Sequence, residues 1–213
     1  RSDRFITDFT KSWAGFSKFE QIAINPNYYR WWNPKYKDYM KLEPAAFLKT
    51  LLHEDLSCLN CLSSDFMVIN DVMAKYYGAP LPASGHRFSK VPAIEGRGGI
   101  LTQAAFLLGH SDGEDAHAVN RGVWLRGRLL GDPPRDPPPE VPALTELDEE
   151  NPDAAGLSTK ERLAIHRKGI CLDCHADIDA WGIPMESYDA TGKLRDKVLR
   201  LTPDHKIKRR ILR

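Results

Sequence analysis

The chain has 213 residues, 42% of them hydrophobic and 28% charged, enough to bury one large core or two modest ones. A formal net charge of +1 excludes a general electrostatic pull toward nucleic acid or anionic membranes. The longest apolar stretches, such as 104–108, are far too short to span a bilayer.

From the N-terminus, Phe5, Phe9 and Trp13 recur every four residues with Ile6 beside them, which predicts an apolar stripe on a helix over 3–16. Asn25-Pro26-Asn27 breaks the chain, and the aromatic cluster Tyr28, Tyr29, Trp31 and Trp32 reads as a core wedge. Asn33-Pro34 has the form of an N-cap with proline at the first helical position. That helix is expected to pass Tyr36 and Met40 toward Phe47, Leu48, Leu51 and Leu52, with Pro44 kinking or splitting it. Ser64 and Asp65 offer caps for a further helix that turns Ile69, Val72, Met73 and Tyr76 inward and stops at Gly78. Residues 78–99 are rich in Gly and Pro and read as an irregular loop. Arg97-Gly98-Gly99 looks like a phosphate cradle or a fragment of an RNA-binding tract, but one short occurrence favours a plain turn. Ile100, Ala104, Leu107 and Leu108 resume helical spacing, and a helix is expected over about 118–130, ending at Gly131.

The clearest boundary follows. Asp132-Pro133-Pro134-Arg135-Asp136-Pro137-Pro138-Pro139 reads as a stiff, extended polyproline spacer rather than a ligand for a recognition domain. Residues 140–157 then hold six acidic residues and no basic one, whereas 193–213 hold nine Lys/Arg against Asp196 and Asp204. Both runs read as solvated surface. Ser158 and Glu161 form a capping box for a short helix through Leu163 and His166 that stops at Gly169. No strand pattern of convincing length is present, so the fold class read from the chain is mainly α.

Cys171-Leu172-Asp173-Cys174-His175 is the stretch that carries chemistry. Two cysteines spaced by two residues and followed at once by histidine form a c-type haem attachment pattern. Each thiolate adds to one haem vinyl group, and the adjacent imidazole is held beneath the iron as proximal ligand. Four Cys and seven His in 213 residues predict only about 0.002 chance matches to this pattern. The competing readings are a redox dithiol, a disulfide or half of a zinc site. Haem attachment takes place outside the bacterial cytoplasm, so the motif argues for a periplasmic or otherwise exported protein, where disulfides are allowed. The chain opens on Arg1 and reads as a piece of something longer.

Arg97-Gly98-Gly99-Ile100-Leu101-Thr102-Gln103-Ala104 resembles the RGGLLTQA segment of planctomycete-type multidomain cytochrome c proteins. Asn120-Arg121-Gly122-Val123-Trp124, followed by Leu130-Gly131 and the prolines, is similar to the same family. So is the run from Cys171–His175 through Ile178-Asp179, Gly182, Glu186, Tyr188-Asp189 and Gly192, which is similar to the family's CxxCH…IDPxGxxxExFDxxG ending. Asp3-Arg4-Phe5 through Trp13 to Tyr76-Tyr77-Gly78 fits the family's preceding helical module. The resemblance implies the C-terminal slice of a larger exported protein, with haem and electron transfer but no named substrate. Cys58 and Cys61 stand where the family commonly has apolar residues, so it assigns them nothing.

These readings give a helical scaffold domain over 1–131, a proline-rich and acidic linker over 132–157, and a cytochrome c-like haem-binding module over 158–213. One haem c is expected on Cys171 and Cys174, with His175 as proximal iron ligand. Met185 is a candidate distal ligand, since the ten residues from His175 span at most about 33 Å when extended, enough to round a porphyrin edge. His110, His117 and His166 are the alternatives, His110 foremost because it sits in a Gly-flanked loop. Trp181, Pro184 and Tyr188 are candidate haem-pocket walls, although ordinary core packing predicts the same residue types. Cys58-Leu59-Asn60-Cys61 lacks a following histidine. It suits a tight local disulfide, two buried thiols or, joined with Cys171 and Cys174, a four-cysteine zinc site. The function expected is electron transfer within or to a larger periplasmic redox protein, whose other domains or a separate redox protein would be the partner. A haem enzyme or ligand-binding module with an open sixth iron site is one alternative, and a zinc- or disulfide-stapled interaction domain is the other.

Overall fold

The four-residue spacing at the N-terminus produces helix α1 (Ser2–Trp13) in the computed structural model, which describes residues 2–14, 16–136, 157, 159–166, 170–201 and 207–211. The buried face of α1 is Ile6 and Thr10, continued by Ala14. Phe5 and Phe9 stay 62% and 42% exposed, and they stack in a ladder with Trp13 at centroid steps of 5.7 Å. Pro44 splits the next pattern into α2 (Tyr36–Met40) and α3 (Glu43–His53). It sits in the first turn of α3, where its missing N–H removes no helical hydrogen bond.

The helix expected from Ser64 does not form as one piece. Phe66–Ile69 is strand β1, followed by α4 (Asp71–Tyr77). Asn70 caps α4, its Oδ1 accepting the Met73 N–H at 3.0 Å, and Gly78 ends the helix at φ 72°. Strand β1 pairs antiparallel with β2 (Ser89–Pro92), Phe66 opposite Pro92 and Ile69 opposite Ser89. All four β1 side chains are buried. Met67 and Ile69 enter a core with Phe19, Met40, Met73 and Leu108, whereas Phe66 and Val68 pack with Phe47, Leu51 and Ile100. A strand covered on both faces loses the polar–apolar alternation that marks a strand. Helix α5 (Ala104–Gly109) is likewise fully buried from Ala104 to Leu108.

The chain divides into two compact units, 1–116 with 190–193, and 117–189 with 194–213. In the first, the aromatic cluster does more than wedge the core. Tyr29 Oη accepts the Ala190 N–H at 3.3 Å, Tyr76 Oη donates to Thr191 O at 2.8 Å, and the Lys193 ammonium lies 4.2 Å from the centre of the Trp31 ring. Gly192 permits this approach. At its φ of +85°, a Cβ would stand 2.8 Å from Ala104 Cα.

The second unit holds α6 (Ala118–Trp124), which continues as a π-helical turn (Leu125–Leu130) to Gly131. It also holds α7 (Thr159–His166), α8 (Ile170–Gly182), a 3-10 turn (Ile183–Ser187) and a hairpin of β3 (Lys197–Leu201) with β4 (Ile207–Ile211). The two hairpins qualify the strand-free reading, but the fold is mainly α, as expected. The first unit ends at 116 rather than 131 because α6 packs on α8. A Cβ on Gly122 would lie 2.5 Å from Ile178 O, and one on Gly182 would lie 2.1 Å from Ala118 O, so the two helices meet backbone to backbone. The acidic part of the expected linker, the capping Ser158 and the stop at Gly169 lie outside the described residues. No helix among the described residues is long and apolar enough to cross a membrane.

Candidate functional site

Helix α8 carries the whole Cys171–His175 stretch. On a helix, positions three and four apart share a face, so Cys171, Cys174 and His175 belong to one side of α8. The Cys171 and Cys174 side chains lie outside the described residues. The His175 side chain is 16% exposed, and its Nδ1 lies 3.0 Å from Oδ1 of Asp179, which is 1% exposed. A carboxylate accepts, so in the neutral imidazole this contact suits a proton on Nδ1, the tautomer whose lone pair is on Nε2. Carboxylates orient metal-binding imidazoles in this way, fixing both the tautomer and the ring plane.

The segment after α8 is held by a buried arginine. Arg121 is fully buried, its Nη1 donating to Met185 O at 2.7 Å and Tyr188 O at 2.9 Å, and its Nη2 to Asp189 O at 2.9 Å. The Arg195 Nε–H donates to Glu186 O at 3.0 Å, and its backbone N–H donates to Ser187 O at 2.7 Å. Every carbonyl from Met185 to Asp189 therefore accepts from one of these two arginines. The candidates on this segment separate by exposure. Met185 and Tyr188 are each 8% exposed, whereas Trp181 is 44% exposed and Pro184 lies on the surface.

The histidines proposed as alternatives are dispersed. His110 belongs to the first unit, its Nδ1 2.8 Å from Phe106 O and its ring 4.6 Å from the Phe106 ring. His117 opens α6 in the left-handed region at φ 54°. His166 ends α7, and its side chain lies outside the described residues. His175, Asp179, Met185 and Tyr188 all belong to the second unit.

Cys58 and Cys61 form a 3-10 turn in the first unit and are free thiols, Cys58 exposed and Cys61 half-buried. Burial, and then the neighbouring Cys58, push the Cys61 thiol up to about 11. The Arg97-Gly98-Gly99 turn presses against this region. A Cβ on Gly99 would stand 2.7 Å from Cys61 O, and one on Gly98 would stand 2.1 Å from Ser64 O. Arg97 itself donates to Thr102 O and Gly192 O and covers the Tyr77 ring at 4.1 Å. Tyr77 Oη in turn donates to Glu43 Oε2 at 2.6 Å and accepts the Ala104 N–H at 2.8 Å. Burial pushes the Glu43 carboxyl up to about 7 against the Tyr77 hydrogen bond and the Arg97 charge, and burial with the Glu43 charge drives Tyr77 well above its ordinary value. The tract reads as a structural clamp.

Three of these residues were not singled out for these roles from the sequence. Asp179 was open to it, because an acidic residue four places after a helical histidine shares its face. Nothing local marks Arg121 or Glu43 as buried, since charged residues are seldom fully buried.

Residues 97–198 match the family model described as PSCyt3, a protein of unknown function (DUF1588). Residues 1–79 match the one described as PSD4, also a protein of unknown function (DUF1592). Both are domains typical of planctomycete-type multihaem cytochrome c proteins. The first match spans Cys171–His175, Arg121 and the Arg97-Gly98-Gly99 clamp, and the second spans α1 to α4. No curated protein and no solved structure matches the chain.

Proposed function

We propose that the second unit binds one haem c through thioethers at Cys171 and Cys174, with His175 Nε2 as proximal ligand, and that it transfers electrons within or to a larger exported redox protein. The observation that carries this reading is the His175–Asp179 contact. It engages Nδ1 at 3.0 Å, as carboxylates do when they orient a metal-binding imidazole, and α8 carries His175 together with both cysteines. The group supplies one-electron iron chemistry when bound. The chain's own residues would hold and orient it: Cys171 and Cys174 would anchor it, Asp179 would fix the imidazole, and Arg121 holds the Met185–Asp189 segment.

On the distal side we propose Met185, which is buried in the same unit as His175, in preference to His110. Tyr188 and the exposed Trp181 and Pro184 are the wall residues of this reading, and an apolar macrocycle laid on Trp181 would remove its ring from water. Attachment to cysteine places the protein outside the bacterial cytoplasm. The matched domain types support membership of a longer multidomain chain, whose other domains are the natural redox partners.

The test is expression in a host with cytochrome c maturation, followed by a pyridine haemochrome spectrum on denatured protein. Covalent haem with the two-thioether spectrum is expected, and Cys171→Ala with Cys174→Ala abolishes it. Well-folded protein carrying no covalent haem would refute the assignment. Loss of the methionine-to-iron charge-transfer band in Met185→Ala would assign the distal ligand, and its retention would exclude Met185.

A further inference from the structure

The proposed haem function makes no use of the Cys58-Leu59-Asn60-Cys61 turn. We infer that Cys58 and Cys61 form a thiol–disulfide exchange site, with Cys58 as the attacking sulfur and Cys61 as the resolving one, acting on a disulfide substrate. The geometry begins with the 3-10 turn itself. Residues three apart in a 3-10 helix eclipse one another, with a rise of about 2.0 Å each. The two Cα atoms are then about 6 Å apart, inside the roughly 4.4–6.8 Å window that a disulfide spans. An α-helical turn would stagger the same pair.

The turn is held ready for this step. Ser57 Oγ accepts the Leu59 N–H at 3.3 Å, Asn60 Nδ2 donates to Ser57 O at 2.9 Å, and the N–H groups of Leu62 and Ser63 reach Leu59 O at 3.0 and 3.1 Å. Gly99 lies directly against it, since a Cβ there would be 2.7 Å from Cys61 O and 2.9 Å from Asn60 O. Exposure divides the labour. Cys58 meets solvent and so meets the substrate, while half-buried Cys61 is shielded from it. Burial and the adjacent Cys58 keep the Cys61 thiol protonated, and capping Cys58 as a mixed disulfide removes the second of these causes.

In the first step, the Cys58 thiolate attacks one sulfur of the substrate R–S–S–R. That bond breaks, and R–S⁻ leaves and takes up a proton. Cys61, losing its proton to solvent, then attacks Cys58 Sγ and expels the second thiolate, which is protonated in turn. The chain's dithiol is oxidised to a disulfide, and the substrate is reduced to two thiols. The closed loop spans only four residues, so loop closure adds little stability, and an exposed disulfide of this kind is readily reduced.

The full chain is equilibrated in glutathione redox buffers, quenched with an alkylating reagent, digested with trypsin and weighed. Residues 50–75 form one tryptic peptide containing both cysteines and no other, so the state of Cys171 and Cys174 does not enter the readout. As glutathione disulfide rises, this peptide should pass from doubly alkylated to unalkylated and two hydrogens lighter, and it should return when reduced glutathione is restored. Cys61→Ser should trap one glutathione on Cys58, and Cys58→Ser should acquire one on Cys61 at least about tenfold more slowly. A peptide that stays doubly alkylated in every buffer overturns the inference, as does a disulfide that excess reduced glutathione fails to reopen. Equal rates of glutathione addition to the two variants overturn the division of roles. The wild-type measurement stands whether or not the variants fold.

Discussion

Replacing Arg121 by methionine tests whether the segment after α8 depends on one side chain. The guanidinium donates to three backbone carbonyls, those of Met185, Tyr188 and Asp189, at 2.7 to 2.9 Å, and it is fully buried. Methionine keeps most of the volume and avoids a buried charge, so the loss is that of the three donors. Met185 O keeps the Tyr188 N–H at 3.2 Å, whereas the Tyr188 and Asp189 carbonyls lose the arginine donor, each at a cost of about 1–3 kcal/mol. Taking about 2 kcal/mol for each of these two gives a local loss of about 4 kcal/mol, which is large beside the roughly 5–15 kcal/mol that holds a typical domain together. At about 1.4 kcal/mol per decade, hydrogen-exchange protection across 183–189 should fall by about a thousandfold. Peptides from β1 and α4 in the first unit serve as the internal control and should change little. Arg121→Lys keeps the charge, but a single ammonium does not span three carbonyls, so its loss should be intermediate. Protection over 183–189 that falls by less than about threefold in Arg121→Met would refute the reasoning.

The contact between α6 and α8 predicts that Gly182→Ala destabilises the second unit by about 3 kcal/mol, because the new methyl would stand 2.1 Å from Ala118 O, and overpacking of this kind costs roughly 1–3 kcal/mol or more. Thermal unfolding followed by circular dichroism checks it, and an unchanged midpoint contradicts the close contact. Glu43 predicts a pH dependence of definite sign. Its carboxyl rises from 4.5 to about 7 on folding, so the folded state holds the proton more tightly. Stability from this group is fully present below pH 4.5, falls as pH rises through the window to 7 and levels off above it, a loss of about 3 kcal/mol at about 1.4 kcal/mol per pH unit. Glu43→Gln keeps an acceptor for Tyr77 and should remove this slope, so urea midpoints of variant and wild type diverge as pH rises from 4 to 8. Parallel profiles refute the burial argument. In protein carrying the proposed haem, Asp179→Asn would replace a carboxylate acceptor by a neutral amide at His175 Nδ1. The reduced form should then be favoured by about tenfold, a rise of about 59 mV for one electron. An unchanged midpoint potential in a variant that still carries haem would show that Asp179 does not tune the iron.

Features whose code lies within a turn of chain were legible in the sequence. The spacing of Phe5, Phe9 and Trp13, Pro44 as a splitter, and Gly78 and Gly131 as helix stops all act between residues a few positions apart, and all are found in the structure. The Cys171–His175 pattern also lies within a turn of chain, and one helix, α8, carries all five residues. The tracts that carried the family resemblance were legible as patterns, but their physical roles were not. Arg97-Gly98-Gly99 clamps the Cys58–Cys61 turn, and the Asn120–Trp124 tract contributes Arg121 and Gly122 to contacts with residues beyond 177.

The sequence by itself determined the mainly helical class and the helix stops, because propensity and capping are short-range properties. The tertiary structure alone decided that Phe66–Ile69 is a strand, because burial on both faces by distant elements erased its alternation. It also decided which face of α1 is buried and where the units divide. Most of all it decided what Arg121 does, because its three acceptors lie 64 to 68 residues further along the chain and only the packing of α6 on α8 brings them within reach.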